Sequence, residues 1–229
     1  MRKVIYKCLR GIYVMNKMIN ENDLLKAHEE FNTEEERAKY YPLFSNLIKG
    51  GYEKEAFLLI LATWNSGCFR FAKKFNLEEF TEKLESLEKY FNRLKYLDFK
   101  TVLFEEHKEE ITKIFDELSD IDGVKYTGAS KIMHLKNPNL FVMWDFYISG
   151  QAPKKLCPKN YIKYEQSGQG YFNFLKKMKQ EFGSLNSPVK DITLAKAVDE
   201  YNYVNITLPI MKKEKEQRKL KKAKQKLKR

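Results

Sequence analysis

The sequence predicts an all-α protein with two helical lobes around a central buried helix. Apolar residues recur at intervals of three and four over several long segments, as on one face of a helix. The most apolar run lacks the alternation of a strand, and the strand-like candidates are few and short, notably residues 140–143 and 203–208. We expect residues 1–211 to form one helical globular domain with two lobes, and residues 212–229 to form a basic tail.

The helices are predicted in order along the chain. Residues 21–31 carry apolar positions among charges, and Thr33 followed by Glu36 has the form of a capping box that opens a second helix. The central helix is predicted at residues 53–75, which contain the run FLLILATW. Further helices are expected at residues 77–97, 105–118, 128–135, 171–182 and 191–201, and the glycines, prolines and lysines of residues 150–170 predict a loop-rich connection.

The positive charge of the chain is concentrated at its C-terminal end. The 229 residues carry a formal net charge of +12, and residues 212–229 hold eleven Lys or Arg against two Glu. That tail therefore accounts for nine of the twelve net charges. It is either a solvated, solubilising extension or an arm that binds phosphate backbones. Its apolar face is too thin to favour an acidic membrane surface.

Composition excludes several classes of protein. No apolar run approaches the roughly 20 residues of a membrane span, and residues 1–18 lack the features of a signal peptide, so we expect a cytoplasmic protein without a membrane partner. No metal site or other cofactor is predicted, because the cysteines and histidines are isolated and lack ligand spacing: Cys8, Cys68, Cys157, His28, His107 and His134.

Residues 121–145, IDGVKYTGASKIMHLKNPNLFVMWD, combine a glycine turn, a short helix and an aspartate. The helix ending near Leu118 runs into the turn at Gly123, and the next helix follows directly. Free amides and the positive end of the helix dipole at such a turn suit a phosphate. Asp145 lies sixteen residues after Ala129. The pattern suggests DNA as the partner.

This segment resembles the helix-hairpin-helix DNA glycosylases of the endonuclease III and adenine-glycosylase type, with the motif at about residues 107–137. Members read leucine-proline-glycine-valine-glycine, three further residues, alanine, and an aspartate sixteen positions on. The matching positions here are Ile121, Asp122, Gly123, Val124, Lys125, Ala129 and Asp145. Thr127 stands where bifunctional members carry a Schiff-base lysine. The resemblance, which extends from about residue 57 to 148, therefore implies monofunctional hydrolysis of an N-glycosidic bond.

The resemblance also implies roles for individual residues. Asp145 is expected to be the catalytic carboxylate, which stabilises positive charge on the sugar while the base is flipped into a pocket. The residues expected at the DNA backbone are Gly123, Val124, Lys125, Thr127, Gly128 and Lys131. Those expected to line the base pocket or probe the duplex are Trp64, Asn65, Ser66, Trp144 and Tyr147. The expected partner is damaged duplex DNA, with single-stranded DNA or RNA as alternatives.

Other interpretations of the same residues remain open. Asp145 is also a natural N-cap for residues 146–148, and Trp64 is also a natural core residue. A patch of lysines with tyrosines between them is either a nucleic-acid surface or a solvated loop: Lys154, Lys155, Lys159, Tyr161, Lys163 and Tyr164. The alternative function is a non-catalytic nucleic-acid-binding protein in which Asp145 only caps a helix.

Overall fold

The computed structural model describes residues 19–157 and 162–226, and these residues form helices and connecting turns without a strand. The predicted all-α class is confirmed for this part of the chain. The α-helices are α1 Glu21–Glu34, α2 Tyr41–Lys49, α3 Glu53–Trp64, α4 Ser66–Phe69, α5 Leu77–Leu94, α6 Lys108–Ser119, α7 Lys125–Lys136, α8 Gly168–Phe182, α9 Leu194–Asn202 and α10 Leu208–Lys226. A five-residue π-helix, Tyr203–Thr207, joins α9 to α10.

One large apolar core joins the central helices, with α6 packed against α5, α7 and α8, and α3 packed against α2 and α7. The first helix, α1, lies on α9. The division into two lobes stays a prediction. Within the described ranges, no helix combines the length and apolarity needed to cross a membrane.

The first helix is longer than the sequence pattern predicts. Its capping box is formed by Asn20 and Asp23, and the predicted capping box of Thr33 and Glu36 is wrong. Thr33 lies in the last turn of α1, where its hydroxyl donates to the Glu29 carbonyl oxygen at 2.9 Å. A bond to the carbonyl four residues back satisfies a threonine inside a helix, so its side chain is not available as a cap.

The central helix ends earlier than predicted, at Trp64. Asn65 leaves the helical conformation with φ −122° and ψ 21°, and its side-chain amide donates to the carbonyl oxygens of Gly123 at 2.9 Å and Val124 at 2.8 Å. Asn65 is 5% exposed. The central helix therefore ends where the Asn65 side chain hydrogen-bonds to a turn that is distant in sequence. Local sequence patterns do not predict such a contact.

Both strand predictions are wrong. Residues 203–207 form the π-helix, and residues 140–143 lie in the core without a partner strand. Side chains satisfy the backbone of this second segment, because His134 Nδ1 hydrogen-bonds to the Phe141 carbonyl oxygen at 2.6 Å and the Tyr171 hydroxyl donates to the Val142 carbonyl oxygen at 2.9 Å. Buried backbone groups need partners, and here they find them outside a sheet.

Asn65→Ala is expected to lower the free energy of unfolding by about 1 to 3 kcal/mol, because the buried Gly123 carbonyl oxygen loses its donor. The Val124 carbonyl oxygen keeps only the Gly128 amide. Chemical denaturation of the purified protein measures the change. Asn205→Ala is the matched control, since Asn205 is exposed and donates only to a carbonyl on its own helical turn. Equal stability of the two variants would show that Asn65 does not hold the turn.

Candidate functional site

A cavity of about 400 Å³ opens between the end of α3, the inner face of α7, residues 143–147 and the π-helix. We call it the Asp145 cavity. Eight of the residues predicted for function line it: Trp64, Asn65, Ser66, Thr127, Lys131, Trp144, Asp145 and Tyr147. Four do not, namely Gly123, Val124, Lys125 and Gly128. The residues predicted for function therefore form two groups in space, eight at the cavity and four at or just after the turn between α6 and α7.

Asp145 is held in place by both of its carboxylate oxygens. Oδ1 accepts a hydrogen bond from the Ile148 amide at 2.7 Å, and Oδ2 accepts one from the Thr207 hydroxyl at 2.7 Å. Burial raises the pKa of Asp145 above its ordinary value, against the opposing effect of these two hydrogen bonds. Asp145 therefore caps the turn that follows it and also lines the cavity, and its catalytic role stays a prediction.

Lys131 lies inside the same cavity. The resemblance places Lys131 at the DNA backbone. In the structure, Lys131 is only 6% exposed and lines the cavity. It makes no hydrogen bond or ion pair with any residue that the structure describes. Burial lowers its pKa, while the negative charges of Asp145 and Asp199 act in the opposite direction. A buried amine without a partner is unfavourable, so an acceptor brought by an occupant of the cavity would satisfy it.

Two tryptophans contribute to the cavity wall while they pack in the core. Trp64 stacks on Tyr41 with the ring planes 15° apart, and its Nε1 donates to the Arg37 carbonyl oxygen at 3.2 Å. Trp144 is 1% exposed, and its Nε1 donates to the Tyr126 carbonyl oxygen at 3.1 Å. Since both indole N–H groups are satisfied, these rings are rigid walls.

An ion pair that the sequence analysis missed lies at the edge of the cavity. Arg37 donates to the two carboxylate oxygens of Glu35 at 2.6 and 2.7 Å, and the Tyr203 hydroxyl donates to the same carboxylate at 2.6 Å. Burial alone would raise the pKa of Glu35, but hydrogen bonds from Arg37 and Tyr203 lower it below its usual value. Glu35 and Arg37 are two residues apart, but Tyr203 comes from a distant segment, and no motif or spacing links the pair to the cavity.

A second buried cation lies behind the aromatic wall. Lys196 is fully buried, pairs with Asp199 at 2.8 Å and Glu200 at 3.2 Å, and has its ammonium 5.1 Å from the Trp64 ring centre. Asp199 itself lines the cavity. Unlike Lys131, this lysine has its charge matched by two carboxylates. No group of three or more metal-ligating side chains occurs among the residues described.

The turn between α6 and α7 contains two residues with positive φ. Gly123 has φ +87°, and a Cβ there would lie 2.9 Å from the Ala72 Cβ. Lys125, at the position of the second glycine in the motif, has φ +53°, in the left-handed region that favours glycine. Asp122 accepts hydrogen bonds from the amides of Lys73 and Lys74 at 3.0 and 2.9 Å. Residues 72–74 therefore cover part of this turn.

The remaining predictions concern the ends of the chain and the lysine-rich loop. Residues 1–18, including Cys8, lie outside the described residues, as do Lys159 and Tyr161. Cys68 and Cys157 are free thiols. The tail is helical as far as Lys226, within α10.

Lys131→Met is expected to raise the free energy of unfolding by about 1 to 3 kcal/mol, because it removes a buried amine that has no partner within the described ranges. A lysine whose folded-state pKa is lowered destabilises the protein while it is charged. The gain should therefore be largest at low pH and shrink as the pH rises toward the ordinary lysine pKa. Denaturant titrations at several pH values measure it.

Lys136→Met on the same helix is the control for this change. Lys136 pairs with Glu53 at 2.8 Å and Glu88 at 2.6 Å, so its loss should leave stability unchanged or reduce it by about 1 kcal/mol. Stabilisation by both variants would mean that methionine on α7 is favourable regardless of the charge it replaces.

Comparison with protein-family models, with curated proteins and with solved structures finds no match for the chain. The geometry of the Asp145 cavity is therefore the basis for assigning a function. It combines a carboxylate held by two hydrogen bonds, rigid aromatic walls and a buried amine that has no partner among the residues described.

Proposed function

We propose that this protein is a monofunctional DNA N-glycosylase that removes a damaged or mismatched base with Asp145 as its catalytic carboxylate. The observation that carries the proposal is the position of Asp145 in a cavity of about 400 Å³, together with a buried lysine that makes no hydrogen bond or ion pair with the described residues. Ligand pockets are commonly about 300 to 1,000 Å³ in volume, so the cavity is of a size for one flipped base.

The turn between α6 and α7 supports DNA as the substrate. We interpret α6, this turn and α7 as a helix-hairpin-helix motif, since Gly123 and Lys125 both have the positive φ that the two motif glycines provide. The amides of Tyr126 and Thr127, at the start of α7, donate to no described residue. Such amides at a helix N-terminus suit a phosphate oxygen.

The chemistry follows from the charge that develops during base removal. Cleavage of the bond between base and deoxyribose builds positive charge on the sugar, and a fixed carboxylate in a water-poor site stabilises that charge. Asp145 meets this need because the Ile148 amide and the Thr207 hydroxyl hold its orientation. Its ionised form also orients or deprotonates the attacking water.

Lys131 acts on the departing base in this mechanism. Its ammonium donates a hydrogen bond to an acceptor of the flipped base, and it stabilises negative charge on the base as the bond breaks. A carbonyl oxygen on the base is the acceptor that best suits a lysine donor. Thr127, which replaces the lyase lysine, leaves strand cleavage to a separate step.

Asp145→Asn is expected to reduce base release by about 100-fold to 1,000-fold, because the amide no longer stabilises positive charge on the sugar. The measurement uses duplexes that carry uracil, 8-oxoguanine, hypoxanthine or an alkylated base, with alkali treatment to convert abasic sites into strand breaks. Asp191→Asn, at an exposed aspartate away from the cavity, is the control. Full activity of Asp145→Asn, or strand breaks without alkali, would contradict the proposal.

Thr207→Val is expected to shift the acidic limb of the pH profile to higher pH. The ionised carboxylate is the active form, and the Thr207 hydroxyl lowers the pKa of Asp145 against the effect of burial. Without that hydrogen bond the raised pKa rises further, so activity appears only at higher pH. Single-turnover rates measured between about pH 4 and about pH 8 report the shift, since this range begins near the ordinary pKa of an aspartate. An unmoved limb would assign it to a group other than Asp145.

A second candidate function is a nucleic-acid-binding protein without catalysis. The observation that favours it is the capping role of Asp145, whose two oxygens both accept hydrogen bonds from the protein. In that case the wild-type protein binds DNA but releases no base from any lesion. Both candidate functions predict that the Asp145→Asn variant still binds DNA. Base release by the wild-type protein therefore decides between them.

A further inference from the structure

A second concavity, of about 560 Å³, runs along α10 next to the Asp145 cavity. We call it the α10 groove. Tyr147 and Met211 line both concavities, so the groove begins at the edge of the cavity. Its basic lining residues are Lys212, Lys215, Arg218, Lys219 and Lys222.

The cations on α10 divide between two faces of the helix. Those of the groove recur at intervals of three and four residues and therefore share one face, whereas Lys213, Lys221 and Lys224 lie on the opposite face. The structure shows which of these cations line the groove.

Two of the groove cations are paired with acidic residues. Lys212 pairs with Glu34 at 3.1 Å, and Arg218 pairs with Glu214 at 3.4 Å. Glu214 also accepts a hydrogen bond from the Tyr147 hydroxyl at 3.1 Å, which links the helix to the cavity edge. Lys215, Lys219 and Lys222 form no ion pair within the described part of the chain, so they are available to an anion.

We propose that the α10 groove binds the phosphodiester backbone of the strand whose nucleotide occupies the Asp145 cavity. The inference rests on the proposed function, because that function places a nucleotide in the Asp145 cavity. The observation that supports the groove itself is its positive charge. At 1.5 Å per residue, Lys215 to Lys222 span roughly 10 Å of helix. One strand of DNA presents about three phosphates over that length, which matches the three unpaired lysines.

The test compares two triple variants that change the same number of charges on the same helix. The groove variant is Lys215→Glu, Lys219→Glu and Lys222→Glu, and the control is Lys213→Glu, Lys221→Glu and Lys224→Glu. Binding of a fluorescent 20-nucleotide strand and its duplex is measured over a range of salt concentrations. Both variants are made in the Asp145→Asn background as well, so that the comparison does not depend on catalysis.

The groove variant should lose about 2 to 3 units from the slope of log affinity against log salt, because each phosphate contact contributes about 0.7 to 0.9. The control should keep its slope within about one unit. Equal losses in both variants would overturn the groove, since they would show attraction to net charge alone. Binding to phosphatidylserine vesicles without binding to either oligonucleotide would also overturn it. If the wild-type protein releases a base but the two triple variants have the same salt slope, only the groove proposal is rejected. If the salt slopes differ but the wild-type protein releases no base, only the glycosylase proposal is rejected.

Discussion

The two hydrogen bonds from the Asn65 side chain fix the position of α7, and the candidate site depends on that position. Asn65 ends the central helix and holds the carbonyl oxygens of Gly123 and Val124. Gly128 permits the close approach, because a Cβ there would lie 2.7 Å from Leu61 Cδ2 and 2.9 Å from Asn65 Nδ2. The same contact orients the next turn of α7, which carries Lys131 into the cavity. A single polar residue at the end of an apolar helix thus aligns the turn and the cavity.

Burial acts in opposite directions on the pKa values of Asp145 and Lys131, two of the charged residues that line the cavity. It raises the pKa of Asp145 and lowers that of Lys131, so it disfavours the charged form of each. The attraction between them works against both shifts. Such an arrangement costs folding free energy, and unfavourable groups of this kind are typical of functional sites. An occupant that accepts a hydrogen bond from Lys131 would satisfy this buried amine.

The sequence predicted those parts of the fold that follow from local periodicity. The helix predicted at 77–97 is Leu77–Leu94, and the one predicted at 105–118 is Lys108–Ser119, because an apolar stripe records directly which face is buried. The end of α3 was not predictable, since it depends on a hydrogen bond to residues nearly sixty positions away. The positions of Glu35 and Arg37 at the cavity were equally hidden, because the packing of α1 against α9 brings them there.

The π-helix explains how the basic helix and the carboxylate come to be neighbours. π-helical turns are rare and occur frequently at functional sites. Here the turn places Tyr203 against Glu35 and Thr207 against Asp145, and α10 starts at the next residue, Leu208. Thr207, which donates to the Asp145 carboxylate, therefore directly precedes the first residue of the basic helix α10. A polyanion bound along α10 would lie on the helix that continues directly from the π-helix that holds Asp145, so two consecutive helical segments would set its position relative to the cavity.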